Sequence, residues 1–297
     1  MPHLRRAART ETLKQDMATM TIETGDQGSK PAVLVMAASR RGVDDPVALL
    51  QGKAHKCLVE LDGQVMLERV LEALVDSGCF DKIHVSLDSP DVLLATPRMR
   101  EWVKEGMAVF VQARGNLADS VLAAVQEIEH PLPLVITTGD NALHTPELVR
   151  DFVQGFMAGS EDVALGLSTE EVVLREFANS GLAFHQLKDG GSSSCNLYGL
   201  RNERALTAVK VFEGGGQFGK RHMRILKAFG VWPFVIYKFK LKTMRGLIDS
   251  IGRRLGVSMA PVLLDYPFGP IDVDHRHSFE ITEAALIRRR ERAQAKG

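Results

Sequence analysis

From Pro31 onward, short aliphatic runs alternate with stretches whose apolar residues recur at helical spacing. AVLVMAA, KIHVSLD, AVFVQA, PLVITTGD and DVALGLS have the character of strands. MLERVLEALVDSG, VLLATPRMREWVKEG, LADSVLAAVQEIE and TPELVRDFVQGFMAG have that of the helices between them. Strands apolar at nearly every position must be covered on both faces, and the intervening helices supply that cover. The pattern predicts an α/β domain built on a doubly wound, mostly parallel, Rossmann-like sheet. Such sheets bind ligands at the carboxyl ends of the strands, where the topology reverses. That directs attention to the loops after Met36, Ala113 and Thr138.

After about Ser168 the pattern changes. LAFHQLKDGGSSSCNLYGLR predicts two short strands around a Gly/Ser turn, a small antiparallel addition. KRHMRILKAFGVWPFVIYKFKLKTMRGLIDSIGRRLG predicts a basic and unusually apolar helical insertion at about 218–257. PVLLDYPFGPIDVD returns to strand character, and FEITEAALIRRRERAQAK closes the chain as a charged helix. The organisation expected is a flexible tail over 1–29, one domain over 30–285 and a charged helix or tail over 286–297.

Composition narrows the function classes. The 297 residues are 45% hydrophobic and 25% charged, ordinary for a soluble globular chain. The 37 basic and 37 acidic residues cancel, so no global field draws nucleic acid or an anionic membrane, and any basic site is local. Cys57, Cys79 and Cys195 show neither zinc-site nor disulfide spacing, which suits a reducing, cytoplasmic setting. The first 29 residues contain arginines but no apolar h-region, and are read as neither a secretory signal nor a membrane anchor.

The first chemical signal is VLVMAASRRG, where a buried-looking strand empties into small residues and two arginines. Small residues after a strand let backbone N–H groups approach an anion. Ala37, Ala38, Ser39 and Gly42 would form that cradle, with Arg40 and Arg41 neutralising β- and γ-phosphates; the alternative is a solvated basic turn.

AASRRG followed by HKCLVELDGQVMLERVLEAL, with Lys56 before a strand-like CLVEL, a Gly63 turn and an amphipathic helix, resembles the signature of the MobA-like nucleotidyltransferases. The resemblance runs in order over roughly residues 31–285 and implies the nucleotide-diphospho-sugar transferase fold. It implies that Lys56 contacts the α-phosphate, a task suited to a compact ammonium. ARGNLADSVLAAV resembles the loop-helix that contacts the base, which implicates Gly115 and Ser120. VITTGDNALHTPELV resembles the segment of the metal-binding aspartate, here Asp140, and PIDVDHRHSF supplies Asp272, with Asp274 beside it, as further ligands for Mg²⁺. On a strand, Asp272 and Asp274 would share a face. His275 and His277 are not read as transition-metal ligands, because no third histidine has suitable spacing. Two positions depart from the family pattern: Ala38-Ser39 replaces Gly-Gly, and Asn141-Ala142 replaces the usual proline after the aspartate.

SSSCNLYGLR resembles the family's acceptor-facing segment, pointing to Asn196, and FGKRHMRILKAFG places Lys220 and Arg221 as a basic cluster for an acceptor phosphate. Residues 226–248 mix aromatics with Lys238, Lys240 and Lys242; they are too interrupted to span a bilayer, and are expected either to pack on the domain or to touch a membrane surface through Trp232 and Phe234. The function expected is Mg²⁺-dependent transfer of an NMP from an NTP, CTP or GTP, to a phosphorylated small molecule, with pyrophosphate released. A glycosyltransferase of related fold and a catalytically silent nucleotide binder are the alternatives.

Overall fold

The computed structural model of the protein describes residues 30–39, 41–210 and 230–295. Its strands are β1 (Ala32–Met36), β2 (Glu60–Leu61), β3 (Gln64–Val65), β4 (Ile83–Leu87), β5 (Ala108–Gln112), β6 (Leu134–Thr138), β7 (Val163–Thr169), β8 (His185–Leu187), β9 (Gly190–Leu200) and β10 (Met259–Leu263). The helices are α1 (Pro46–Leu49), α2 (Met66–Ser77), α3 (Pro97–Lys104), α4 (Leu117–Glu127), α5 (Pro146–Ala158), α6 (Glu170–Leu174), α7 (Leu206–Val209), α8 (Val231–Lys238), α9 (Met244–Leu255) and α10 (Arg276–Gln294).

Alternation along the strands divides the core into two layers. Val33, Val35 and Val135 meet α2, α3 and α5 through Leu71, Trp102 and Phe152. Leu34, Leu134 and Ile136 meet α4 and α7 on the opposite face through Val121 and Ala208. Both faces are apolar because both are buried, the reason the strands lack a polar partner at every second position. The main sheet runs β10-β7-β9-β6-β1-β4-β5. β1 pairs in parallel with β4 on one side and β6 on the other. The chain therefore reverses direction across the sheet at β1, and a crevice opens at the carboxyl ends of β1 and β6.

The antiparallel element is larger and more central than the sequence suggests. β9 spans eleven residues and lies between β6 and β7, antiparallel to both. β8 is the short partner at its edge. The Ser and Gly residues of β9 resemble turn formers, but here small side chains admit close packing. A Cβ at Gly199 would meet the Phe156 ring carbons at 2.5–2.7 Å.

Three further expectations change. The strand-like CLVEL is a 3₁₀ turn over Lys56–Leu58, and only Glu60–Leu61 pairs, with Gln64–Val65 across an Asp62-Gly63 turn in which both φ are positive. Residues 271–274 form no ladder, although Ile271 and Val273 still face the core. The boundary at 285 cuts through α10, which starts at Arg276. Leu286 is buried and Arg289 donates to the Leu143 carbonyl at 2.9 Å, so this helix packs on the domain and is not a tail.

Of the helical insertion, α8 and α9 are described, and its residues before Gly230 lie outside the described residues. Ile236 of α8 packs with Leu187 and Leu247, so this segment packs on its own domain, while Val231, Trp232 and Phe239 are exposed. No helix of the described residues is long and apolar enough to cross a membrane.

Gly199→Ala is expected to destabilise the fold by about 1–3 kcal/mol through overpacking. Adding Phe156→Leu should recover part of that loss, giving a coupling that urea unfolding of the two single variants and the double variant measures.

Candidate active site

Three segments distant in sequence meet at the carboxyl end of β6. Thr138 ends the strand, and Gly139 follows with no room for a side chain: a Cβ there would lie 2.9 Å from Ala37 Cβ and 3.2 Å from Cys57 Sγ. The Cys57 thiol reaches the Ala37 carbonyl at 3.4 Å, and burial pushes it up to about 12, so it packs as a neutral group. This close approach of the β1 loop, the Lys56 turn and the β6 loop places Asp140 beside Lys56. Val273 N–H then donates to the Asp140 carbonyl at 3.1 Å, which adds the segment of Asp272 and Asp274.

Lys56 Nζ donates to Asp140 Oδ2 at 2.7 Å and to Asp274 Oδ1 at 2.6 Å. Burial alone would lower its pKa, but the two carboxylates outweigh burial and hold it well above the usual lysine range. The ammonium is thus charged throughout the physiological range. Asp272 behaves in the opposite sense: burial, then the charges of Asp140 and Asp274, push it up to about 7.

A polar network holds these acids from behind. Thr138 Oγ1 donates to Asp140 Oδ1 at 2.6 Å and also lies 2.5 Å from Asn141 Oδ1. Asn141 is fully buried and donates to the Ile271 carbonyl at 3.2 Å. Asn196 Nδ2 donates to Asn141 Oδ1 at 3.1 Å and to Asp272 Oδ2 at 3.4 Å. Asn196 reaches them from a bulge: β9 pairs Tyr198 with Leu165 but Ser194 with Leu167, and Asn196 between them adopts φ 52°. Asparagine tolerates that left-handed conformation better than most residues, and the Ser194 hydroxyl accepts its N–H at 3.1 Å.

Of the residues anticipated from sequence, Lys56, Asp140, Asp272, Asp274 and Asn196 come together here. Ala37 is adjacent, but its N–H is already given to the Ser86 carbonyl at 3.0 Å. Ala38 and Arg41 are exposed on the neighbouring loop, and Gly42 N–H donates to Ser39 Oγ at 3.0 Å. Gly115 is exposed with open space at its Cβ position. Ser120 is buried: its hydroxyl accepts from Arg114 N–H at 2.8 Å and donates to the Asn116 carbonyl at 2.8 Å, so it shapes the loop, and Asn116 is the helix cap. Arg40, Lys220 and Arg221 lie outside the described residues. His275 caps α10 by accepting from Ser278 N–H at 3.1 Å, and His277 Nε2 lies 2.8 Å from the Asn179 carbonyl, so each has a structural bond. Thr138 and Asn141 join the site without a motif to announce them; their one signal in the sequence is polarity at, and just beyond, the end of an otherwise apolar strand.

Among the described residues no three His, Cys, Asp or Glu side chains are grouped as a ready metal cage. The donor set nevertheless suits a hard cation, since Mg²⁺ is commonly held by one or two carboxylates plus substrate phosphates and water. Asp140 and Asp272 are oxygen donors whose mutual repulsion a cation relieves.

The model of the MobA-like NTP transferase domain matches residues 34–189, just over half of the chain. No curated protein matches. Among solved structures, a hypothetical transferase from Thermus thermophilus is similar at 21% identity and TM-score 0.67, over 84% of this chain and 99% of that one. A CMP:2-keto-3-deoxy-manno-octonic acid synthetase complexed with CTP is similar at 14% identity and TM-score 0.52, over 88% and 100%. A 4-diphosphocytidyl-2C-methyl-D-erythritol synthase from Anaerococcus prevotii is similar at 10% identity and TM-score 0.51, over 86% and 95%. At these identities the likeness establishes a shared fold.

The raised Asp272 pKa fixes the sign of a pH effect. The folded chain retains a proton that the unfolded chain has lost between about pH 4 and the folded value of about 7, so this group's contribution to stability falls as pH rises across that window. In metal-free buffer Asp272→Asn should therefore melt above wild type at about pH 8, with the gap closing toward about pH 4. Thermal melts at the two pH values check this.

Proposed function

The chain belongs to the family of MobA-like NTP transferase domains and is a nucleotidyltransferase, and from that premise we propose that it joins an NMP to a phosphorylated small-molecule acceptor and releases pyrophosphate. The observation that carries the site assignment is the Lys56 ammonium held between Asp140 and Asp274 at the mouth of the β1/β6 crevice. In the reaction an acceptor phosphate oxygen forms a bond to the α-phosphorus while the bond from that phosphorus to the bridging oxygen of the β-phosphate breaks. The electron pair leaves with pyrophosphate. The nucleophile is already anionic, so the site needs no general base, and positioning with charge neutralisation supplies most of the rate.

Each residue then has a task that its surroundings support. Lys56, kept charged by its carboxylate partners, neutralises the α-phosphate oxygens as charge redistributes in transfer. Asp140 and Asp272 would hold Mg²⁺, which when bound shields the phosphates from one another and from the carboxylates. Asn141 and Thr138 orient Asp140 and the segment carrying Asp272, and Asn196 presents an amide from β9 toward the acceptor side. Arg41, with Arg40 before it, would accompany the departing pyrophosphate. CTP and GTP are the nucleotides to test first.

Purified protein should release pyrophosphate from one NTP in the presence of Mg²⁺ and a particular phosphometabolite, and a chelator should abolish the release. Lys56→Ala and Asp140→Ala should each lower that rate by at least about 100-fold while keeping a cooperative melt. Wild-type turnover by either variant overturns the assigned roles.

A further inference from the structure

The loop after β1, expected to face phosphates, is folded onto a carboxylate. Ser39 N–H donates to Asp88 Oδ2 at 2.7 Å, and Asp88 stands just past the carboxyl end of β4. A second donor faces the same oxygen. His55 is buried, and its Nδ1 accepts from Cys57 N–H at 3.1 Å, which leaves the hydrogen of the neutral ring on Nε2. Burial lowers the pKa of this ring despite the nearby Asp88 and Asp45, with Lys56 acting in the same sense as burial, so the neutral form prevails at physiological pH. Among the described residues His55 Nε2 has no partner within hydrogen-bonding distance; its nearest anionic neighbour is Asp88 Oδ2 at 3.6 Å.

Two N–H donors from different segments thus converge on one oxygen position, and the side chain that fills it satisfies only one of them. Buried donors are rarely left in this state unless the site has another occupant. The Asp88 side chain is 51% exposed, so a ligand that takes over the Ser39 N–H bond can displace the carboxylate into solvent without unburying it. A phosphate presents several anionic oxygens in a tetrahedral array and can meet both donors, whereas the Asp88 carboxylate, tethered to its own backbone, stands 2.7 Å from Ser39 N and 3.6 Å from His55 Nε2.

Resting on the nucleotidyltransferase reading, we propose that Ser39 N–H and His55 Nε2–H form a seat for a phosphate group of the bound nucleotide, and that Asp88 is an internal anion that occupies this seat until the phosphate displaces it. Asp88 keeps the empty loop folded and lowers apparent affinity by the fraction of molecules in which the seat is filled. His55 is a phosphate-binding group, and its bond to Cys57 aims it.

The test is isothermal titration calorimetry of the full chain with CTP, GTP, ATP, UTP, inorganic pyrophosphate and the corresponding nucleosides, Mg²⁺ present. Asp88→Ala should tighten binding of the preferred triphosphate and of pyrophosphate about 3- to 10-fold and leave nucleoside binding unchanged. His55→Asn retains an acceptor for Cys57 N–H but loses the Nε2 donor, and should weaken triphosphate binding about 10-fold. If His55→Asn fails to melt cooperatively, the Asp88→Ala affinity decides alone. Unchanged or weaker triphosphate binding by Asp88→Ala overturns the seat while leaving the transferase reading intact. Failure of wild type and Asp88→Ala alike to bind any of the nucleotides or pyrophosphate overturns both.

Discussion

An ammonium withdrawn from water needs anionic partners, and Lys56 takes them from residues 84 and 218 positions farther along the chain. The pairing works in both directions. Without the lysine, the three acids around it would face one another across a partly buried space; without the acids, burial would drive the proton from the lysine. The contact between Lys56 and Asp140 also requires Gly139, because any larger residue would drive the β6 loop away from Ala37 and Cys57. The geometry of the site is thus a packing result as much as an electrostatic one.

The sheet supplies the platform. Reversal of strand order at β1 opens the crevice, and the long antiparallel β9, between two strands that run the other way, adds a wall that a purely parallel sheet would lack. The bulge at Asn196 joins the two, turning one amide out of the ladder and onto Asp272. Behind it, Thr138 and Asn141 tie strand end, bulge and C-terminal segment into one hydrogen-bonded unit. Asn141 directly follows Asp140, in the Asn141-Ala142 pair that replaces the family's usual proline, and its side chain takes part in all three of those ties.

The site is partly self-neutralised. Lys56 is bound to carboxylates on one side of the crevice, and the β1 loop gives an amide to Asp88 on the other. On the proposed reading, a triphosphate entering such a site would exchange one set of anionic contacts for another, so its affinity would reflect a difference between charged interactions and not their sum. A small charged site can stay folded in this way without its ligand.

The parallel sheet, its two-sided helical cover and the order of the β1 loop, lysine, aspartate and acidic segment were legible in the sequence, because periodicity and local order are properties of neighbouring residues. The resemblance of AASRRG, HKCLVELDG and TTGDN to one family singles out Lys56 and Asp140, and the fold brings these two side chains to 2.7 Å. Strand pairing was not legible: a Ser/Gly-rich run has the composition of a turn, and only the closeness of Phe156 to Gly199 explains why small residues fill a central strand. Nor did spacing show that Asp272 and Asp274 lie outside any ladder, that Ser120 is spent on its own loop, or that α10 packs against the Leu143 carbonyl. Those facts depend on contacts between residues tens to hundreds of positions apart, whose pairing is decided by the shapes that remain once the core has closed.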